Sequence, residues 1–171
     1  LSWTGADNGF GHGLPPKPDN EAKWGFMRPL LADPALKPSA AQVATASAAA
    51  QDLLELRFST PLFRLGSAGL IQQKVSFPLS GTAAATPGVI VMRIDDTAGP
   101  DVDPRLRGAL VVFNATGSPV TQSVPALAGQ SLELSPIQAQ GSDPVVKQTS
   151  WSTSGGTATV PARTVAVLLH R

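Results

Sequence analysis

Two histidines, a short run of aspartates and three tryptophans are the residues whose types suit hydrolysis, metal binding or sugar stacking. His12 stands in a Gly/Pro-rich stretch and His170 next to the last residue of the sequence. A nucleophilic hydrolase needs a base in reach of its nucleophile. No G-x-S-x-G elbow and no Cys is present, so both histidines read as surface groups. Asp95, Asp96, Asp101 and Asp103 lie close together, and calcium takes clustered oxygen ligands. Their spacing is not that of an EF-hand, and Asp is a frequent turn residue. The favoured reading is therefore a solvated strand-to-strand loop, with no cofactor. Nor do four aspartates on one loop present two carboxylates facing each other across a sugar.

Trp3, Trp24 and Trp151 raise the question of sugar stacking. Trp151, in the alternating run 148–153, is expected to bury its ring. Trp24 reads as an anchor on a short helix that also carries Met27. Trp3 and Phe10, in the Gly-rich loop, are the candidates for a ligand-facing surface. There is no Walker loop, dinucleotide fingerprint or H-E-x-x-H. Residue chemistry alone supports no enzyme.

The elements that must position these residues fit a chain of one modest domain. A protein of 171 residues buries about 70% of its unfolded surface and needs neither disulfide nor metal to fold. A net charge of +1 without a basic block gives nucleic acid no electrostatic footing. No apolar run approaches the roughly 18 residues of a membrane helix. The first residue is Leu1, with no signal-peptide pattern, and the sequence reads as a cut or processed piece.

Residues 1–38 carry no sustained period. Gly5, Gly9, Gly11 and Gly13 lead into Pro15 and Pro16, an irregular loop. A short helix is predicted from Asp19 or Asn20 to about Met27, stopped by Pro29. Ser39 and Gln42 form a capping box for a helix over 39–58, about five turns long. Val43, Ala46, Ala50, Leu53, Leu54 and Phe58 mark its apolar face. From 73 the pattern turns to strands, at 73–79, 89–94, 109–113, 131–134, 145–152, 157–160 and 164–169. Gly155-Gly156 signals a hairpin. The fold class is mainly β: an antiparallel sandwich preceded by a Gly/Pro-rich loop and one long amphipathic helix.

Taken in order, these residues resemble a known family. Asp7-Asn8-Gly9-Phe10-Gly11-His12-Gly13-Leu14-Pro15-Pro16 is similar to a loop of pullulanase-type α-1,6-glucosidases, the starch-debranching glycoside hydrolases of family 13. Asp19-Asn20-Glu21 with Trp24, Pro29-Leu30-Leu31-Ala32-Asp33-Pro34, Ser59-Thr60-Pro61-Leu62-Phe63-Arg64-Leu65, Val111-Val112-Phe113-Asn114 and Val160-Pro161-Ala162-Arg163-Thr164 continue it along nearly the whole chain. The resemblance implies a parent whose (β/α)8 barrel, with an Asp nucleophile and a Glu acid/base, cleaves α-1,6 linkages in pullulan, amylopectin or limit dextrins.

Those catalytic residues match no position here, so none is carried over. Residues 1–65 would be the loop and closing helix of the barrel, and 66–171 a non-catalytic C-terminal sandwich. The implied partners are that barrel and an α-glucan, with no nucleic acid and no membrane. Asn8 matches the family's Asn in a loop near the glucan cleft, and Phe10 stands where Trp is common. Asn8 and Phe10, with Trp3 and Asp7 beside them, are the expected substrate contacts. An independent α-glucan-binding module and a purely structural interaction domain are the alternatives. The Ala-rich composition favours an exported bacterial parent over a plastid one.

Overall fold

The computed structural model describes residues 14–171; Trp3, Asp7, Asn8, Phe10 and His12 lie outside the described residues. The chain divides into two compact units between Ala50 and Gln51.

In the first unit, helix α1 (Lys17–Asn20), a 3-10 turn at Glu21–Lys23 and α2 (Trp24–Ala32) follow directly on one another. Trp24 anchors this segment, its Nε1 donating to the Pro15 carbonyl at 3.0 Å. The Arg28 guanidinium lies 5.8 Å from its ring centroid. Pro29 does not stop the helix as expected, and α2 continues to Ala32. The ring deprives the Gly25 carbonyl of its donor. Gly25 and Pro29 are both exposed, so water can take up that carbonyl. The capping box forms as its residues dictate: Ser39 N donates to Gln42 Oε1 at 2.8 Å and Gln42 N to Ser39 Oγ at 3.2 Å. They open α3 (Ala40–Phe58), which begins in the first unit and ends in the second.

The second unit is the sandwich. After α4 (Ala68–Lys74) come β1 (Val75–Ser76), β2 (Val89–Asp95), β3 (Gly108–Asn114), β4 (Val120–Ser123) and β5 (Leu132–Leu134). Then follow α5 (Pro136–Gln140), β6 (Ser150–Ser152), β7 (Thr157–Val160) and β8 (Thr164–His170). One sheet runs β1-β2-β3-β8-β5 and the other β4-β7-β6, with every pair antiparallel. Val91, Leu110, Val112, Ala166 and Leu168 of the larger sheet meet Ala158 and Val160 of the smaller in the main core. Ala109, Val111, Val167 and Leu169 form a second core on the other face. β3 and β8 are thus buried on both sides. That explains why Ala109-Leu110-Val111-Val112 reads as an unbroken apolar run.

Two expected strands are shorter than their patterns. Ser67 Oγ accepts from Leu70 N at 3.2 Å and starts α4, so Gln73 and Lys74 end a helix. Only Val75 and Ser76 pair with β2. At 145–152, Asp143 Oδ1 accepts from Val145 N at 2.8 Å and turns the chain into a 3-10 segment, Val146–Gln148. The strand there is confined to Ser150–Ser152.

Asn114 closes the far end of the sandwich. Its Nδ2 donates to the carbonyls of Ser118 (2.9 Å), Val160 (3.3 Å) and Pro161 (2.8 Å). Its Oδ1 accepts from Thr116 N (3.0 Å) and Thr116 Oγ1 (2.7 Å). This side chain therefore ties β3 to the turn after it and to the β7–β8 connection. An unpaired buried polar group costs about 1–3 kcal/mol, and Asn114→Ala leaves several of these partners without one. We expect that variant to lose about 2–3 kcal/mol in urea unfolding. A loss below the roughly 0.5 kcal/mol of a surface substitution would contradict the role.

Candidate functional site

The outer face of the larger sheet is where the fold leaves something open. Met92 and Ile94 of β2, Val111 of β3 and Val165 and Val167 of β8 share that face, following the alternation of each strand. Leu53, Leu56 and Arg57 at the end of α3, the 3-10 turn Pro61–Arg64 and Ile71 of α4 wall it. Between them lies an apolar groove of about 500 Å³. The turn is held in place by Thr60, whose Oγ1 accepts from Leu62 N at 3.2 Å and donates to Asp103 Oδ2 at 2.7 Å.

The apolar face expected on α3 is only partly used within the chain. Leu56, which the periodicity does not mark, is the helix's buried residue. Leu53, Leu54 and Phe58, which it does mark, are 57%, 58% and 61% exposed. The Arg64 guanidinium sits 4.8 Å from the Phe58 ring centroid. Ile71 and Val165 add further exposed apolar surface at the groove. A contiguous apolar patch of this kind marks an interaction surface. Nothing in the periodicity marks Ile71, because the strand alternation begins only at 73; the Ser67 cap of α4 is the one local signal for its helix.

The aspartates are not a solvated loop, because Asp96 and Asp103 are buried. Lys74 Nζ reaches Asp96 Oδ1 at 2.7 Å, and both side chains are out of solvent. Asp96 also accepts from the backbone N–H of Val102 and of Asp103. Arg105 grips Asp103 through Nε and Nη2, each at 2.8 Å. These carboxylates are consumed by internal cations and amides, so the four aspartates do not converge on a calcium site. Among the described residues no group of three or more His, Asp or Glu is placed to hold a metal. Trp151 is partly buried against the main core and its Nε1 donates to the Gln130 carbonyl at 2.8 Å, a structural use of the ring. His170 ends β8, partly buried.

These environments fix a pH dependence. The Arg105 hydrogen bond, opposed by burial and joined by Thr60, holds Asp103 well below the usual carboxylate range. Burial would raise Asp96 and Asp95. Hydrogen bonds from Lys74 and two backbone amides outweigh it at Asp96, and those from Thr97 with the Arg93 charge outweigh it at Asp95. Burial, then the Arg107 and Arg93 charges, lower His170. All four groups are stronger acids folded than unfolded, so the unfolded chain takes up protons first as pH falls. Stability should slip slightly as pH drops through about 6.5, where an unfolded His titrates. It should fall more steeply below about 4, where unfolded carboxylates titrate. Calorimetry from pH 8 to 3 checks this, with His170→Gln removing the upper step. A Tm that rises between pH 7 and 5 would contradict it.

The comparisons with known proteins bear on what this groove belongs to. The family model for pullulanase-type α-1,6-glucosidases, C-terminal, matches residues 5–171. A chloroplastic pullulanase 1 of Arabidopsis thaliana is 38% identical over 99% of this chain, which covers 18% of that protein. A pullulanase of Klebsiella pneumoniae is 32% identical over 98% of this chain and 15% of its own length. The solved maltotriose complex of PulA from Klebsiella pneumoniae superposes with a TM-score of 0.78 at 30% identity, over 99% of this chain and 18% of that one. The chain thus spans less than a fifth of the relatives it matches. With its sandwich superposing on theirs and the family model running almost from end to end, this chain belongs to the C-terminal family of pullulanase-type α-1,6-glucosidases.

Proposed function

We propose that the chain serves as a non-catalytic C-terminal part of a pullulanase-type enzyme, whose catalytic (β/α)8 barrel packs onto the groove along α3. The parent would hydrolyse α-1,6-glucosidic linkages in pullulan, amylopectin and limit dextrins. Residues 1–65 would contribute the last loop and helix of that barrel, and 66–171 the sandwich that braces it. Asn8 and Phe10, with Trp3 and Asp7 nearby, would border the glucan cleft. One observation carries the reading: Leu53, Leu54 and Phe58 form an exposed apolar face beside an apolar groove. A soluble domain gains from covering such a surface, at about 25 cal/mol per Å² of apolar area removed from water.

The absence of Cys from these 171 residues lets one thiol be placed and followed by peptide mass, in this chain and in the parent alike. A thiol placed by Leu54→Cys should react with maleimide at the rate of a free thiol in this chain. In the full-length parent it should react at least tenfold more slowly. Equal rates in the two would remove the barrel from that face. For the cleft, Asn8→Ala with Phe10→Ala in the parent should raise KM for branched maltooligosaccharide at unchanged thermal stability.

A further inference from the structure

Next to Ser59 and Thr60, just before the 3-10 turn, the structure holds a small cavity that the packing role does not use. It has about 150 Å³ and is lined by Ser59, Thr60, Arg105, Ser135 and Arg171 together with apolar side chains. Ser135 occupies the N-cap position of α5, yet its side chain makes no capping bond. It is 1% exposed, and its Oγ has no hydrogen-bond partner. A buried hydroxyl left without a partner is costly and calls for an occupant. Arg105 is fixed in orientation by Asp103, and its Nη2 also donates to the Ser59 carbonyl at 3.3 Å. That leaves its Nη1 hydrogens unused among the described residues. Arg171 makes no ion pair with a described side chain.

We infer that this cavity is a binding site for a small oxyanion, held by the Arg105 and Arg171 guanidinium groups and the Ser135 hydroxyl. Guanidinium forks match the geometry of phosphate and carboxylate oxygens, and a hydroxyl adds a directed donor. The field around the cavity agrees. Arg105 and Arg171 also line a second hollow of about 340 Å³, where Arg107 joins them. Of the carboxylates nearby, Asp103 is paired with Arg105 itself and Asp96 with Lys74, while the exposed Asp101 lines the larger hollow and not the smaller cavity. The Arg107 charge also contributes, after burial, to holding His170 below its usual pKa.

The test is an amide and guanidinium NMR titration of this chain with sodium phosphate, and separately with sodium acetate, at ionic strength matched by sodium chloride. Phosphate should give saturable shifts at millimolar concentration in Arg105 Nε–H and in the amides of Ser135 and Arg171. Ser135→Ala should weaken binding at least fivefold and Arg171→Gln at least tenfold. Among the described residues neither side chain makes a hydrogen bond, so both variants should keep the wild-type spectrum elsewhere. Saturation by phosphate alone assigns tetrahedral oxyanions, and saturation by both anions assigns oxyanions in general; either supports the site. Shifts that do not saturate, or that saturate unchanged in both variants, would overturn it.

Discussion

Replacing Lys74 by Ala should cost the fold about 3–5 kcal/mol, the loss typical of removing one partner from a buried ion pair. Lys74 Nζ carries three N–H donors, and each has an acceptor. They are Asp96 Oδ1 at 2.7 Å, the Asp96 carbonyl at 3.2 Å and the Ala98 carbonyl at 2.7 Å. Truncation strands all three, and the charge left on Asp96 is out of solvent. The geometry also predicts how the penalty changes with pH. In the native chain the Lys74 hydrogen bond and two backbone amides offset the burial that would raise Asp96. Without Lys74, burial is opposed by fewer groups and the carboxyl becomes a weaker acid. Its folded pKa then moves up towards or past the unfolded value. The variant is therefore worst above that value, and it recovers relative to wild type as pH falls and Asp96 takes a proton. Urea unfolding of both proteins at pH 7.5 and 4.5 measures this. A loss below 1 kcal/mol at pH 7.5 would show the pair to be dispensable, and an equal loss at both pH values would show that Asp96 stays ionised down to pH 4.5 without Lys74.

That ion pair also shows where reading the sequence stops short. Strands whose residues alternate or run apolar between turn residues, such as 109–113 and 164–169, form where their patterns place them. Local chemistry decides those segments, as it decides the Ser39–Gln42 capping box. Lys74 and Asp96 are 22 positions apart, and nothing local in either segment announces the pairing. Asp95, Asp96, Asp101 and Asp103 look solvated in one dimension, because Asp is a turn residue and its distant partners are invisible there. At α4 the signal is local but short: seven residues behind the Ser67 cap, whose last two, Gln73 and Lys74, also open the alternation that reads as a strand. On α3, the three- and four-residue spacing marks a face that the chain does not bury, and it passes over Leu56, the residue that is buried. Leu56 turns to the sheet while Leu53, Leu54 and Phe58 stay exposed. The proposed barrel would cover those three, where periodicity alone gives only a stripe.

If that partner is the barrel, placing a carboxylate in the groove should act with opposite sign in the chain alone and in the parent. Leu53 is 57% exposed and lies on α3 four residues before Arg57. In the chain alone, Leu53→Glu removes little buried surface and creates an acidic-to-basic i,i+4 pair, worth about 0.3–0.5 kcal/mol. Its stability should hold or rise slightly. In the parent the same position would be covered. The substitution then forfeits about 1.5–3 kcal/mol of leucine burial. Covering the groove would also strip water from a carboxylate that stands beside the apolar side chains of Ile71, Met92 and Val111. Ile71→Glu, on the facing wall, should behave alike in the parent, without the compensating helix pair. Calorimetry of each variant in both contexts reads the difference directly. The parent should lose at least 2 kcal/mol from the transition that includes this region, a loss the chain alone does not share. Matching shifts in the two contexts would mean that the groove faces water in the parent as well, and the barrel would have to dock elsewhere.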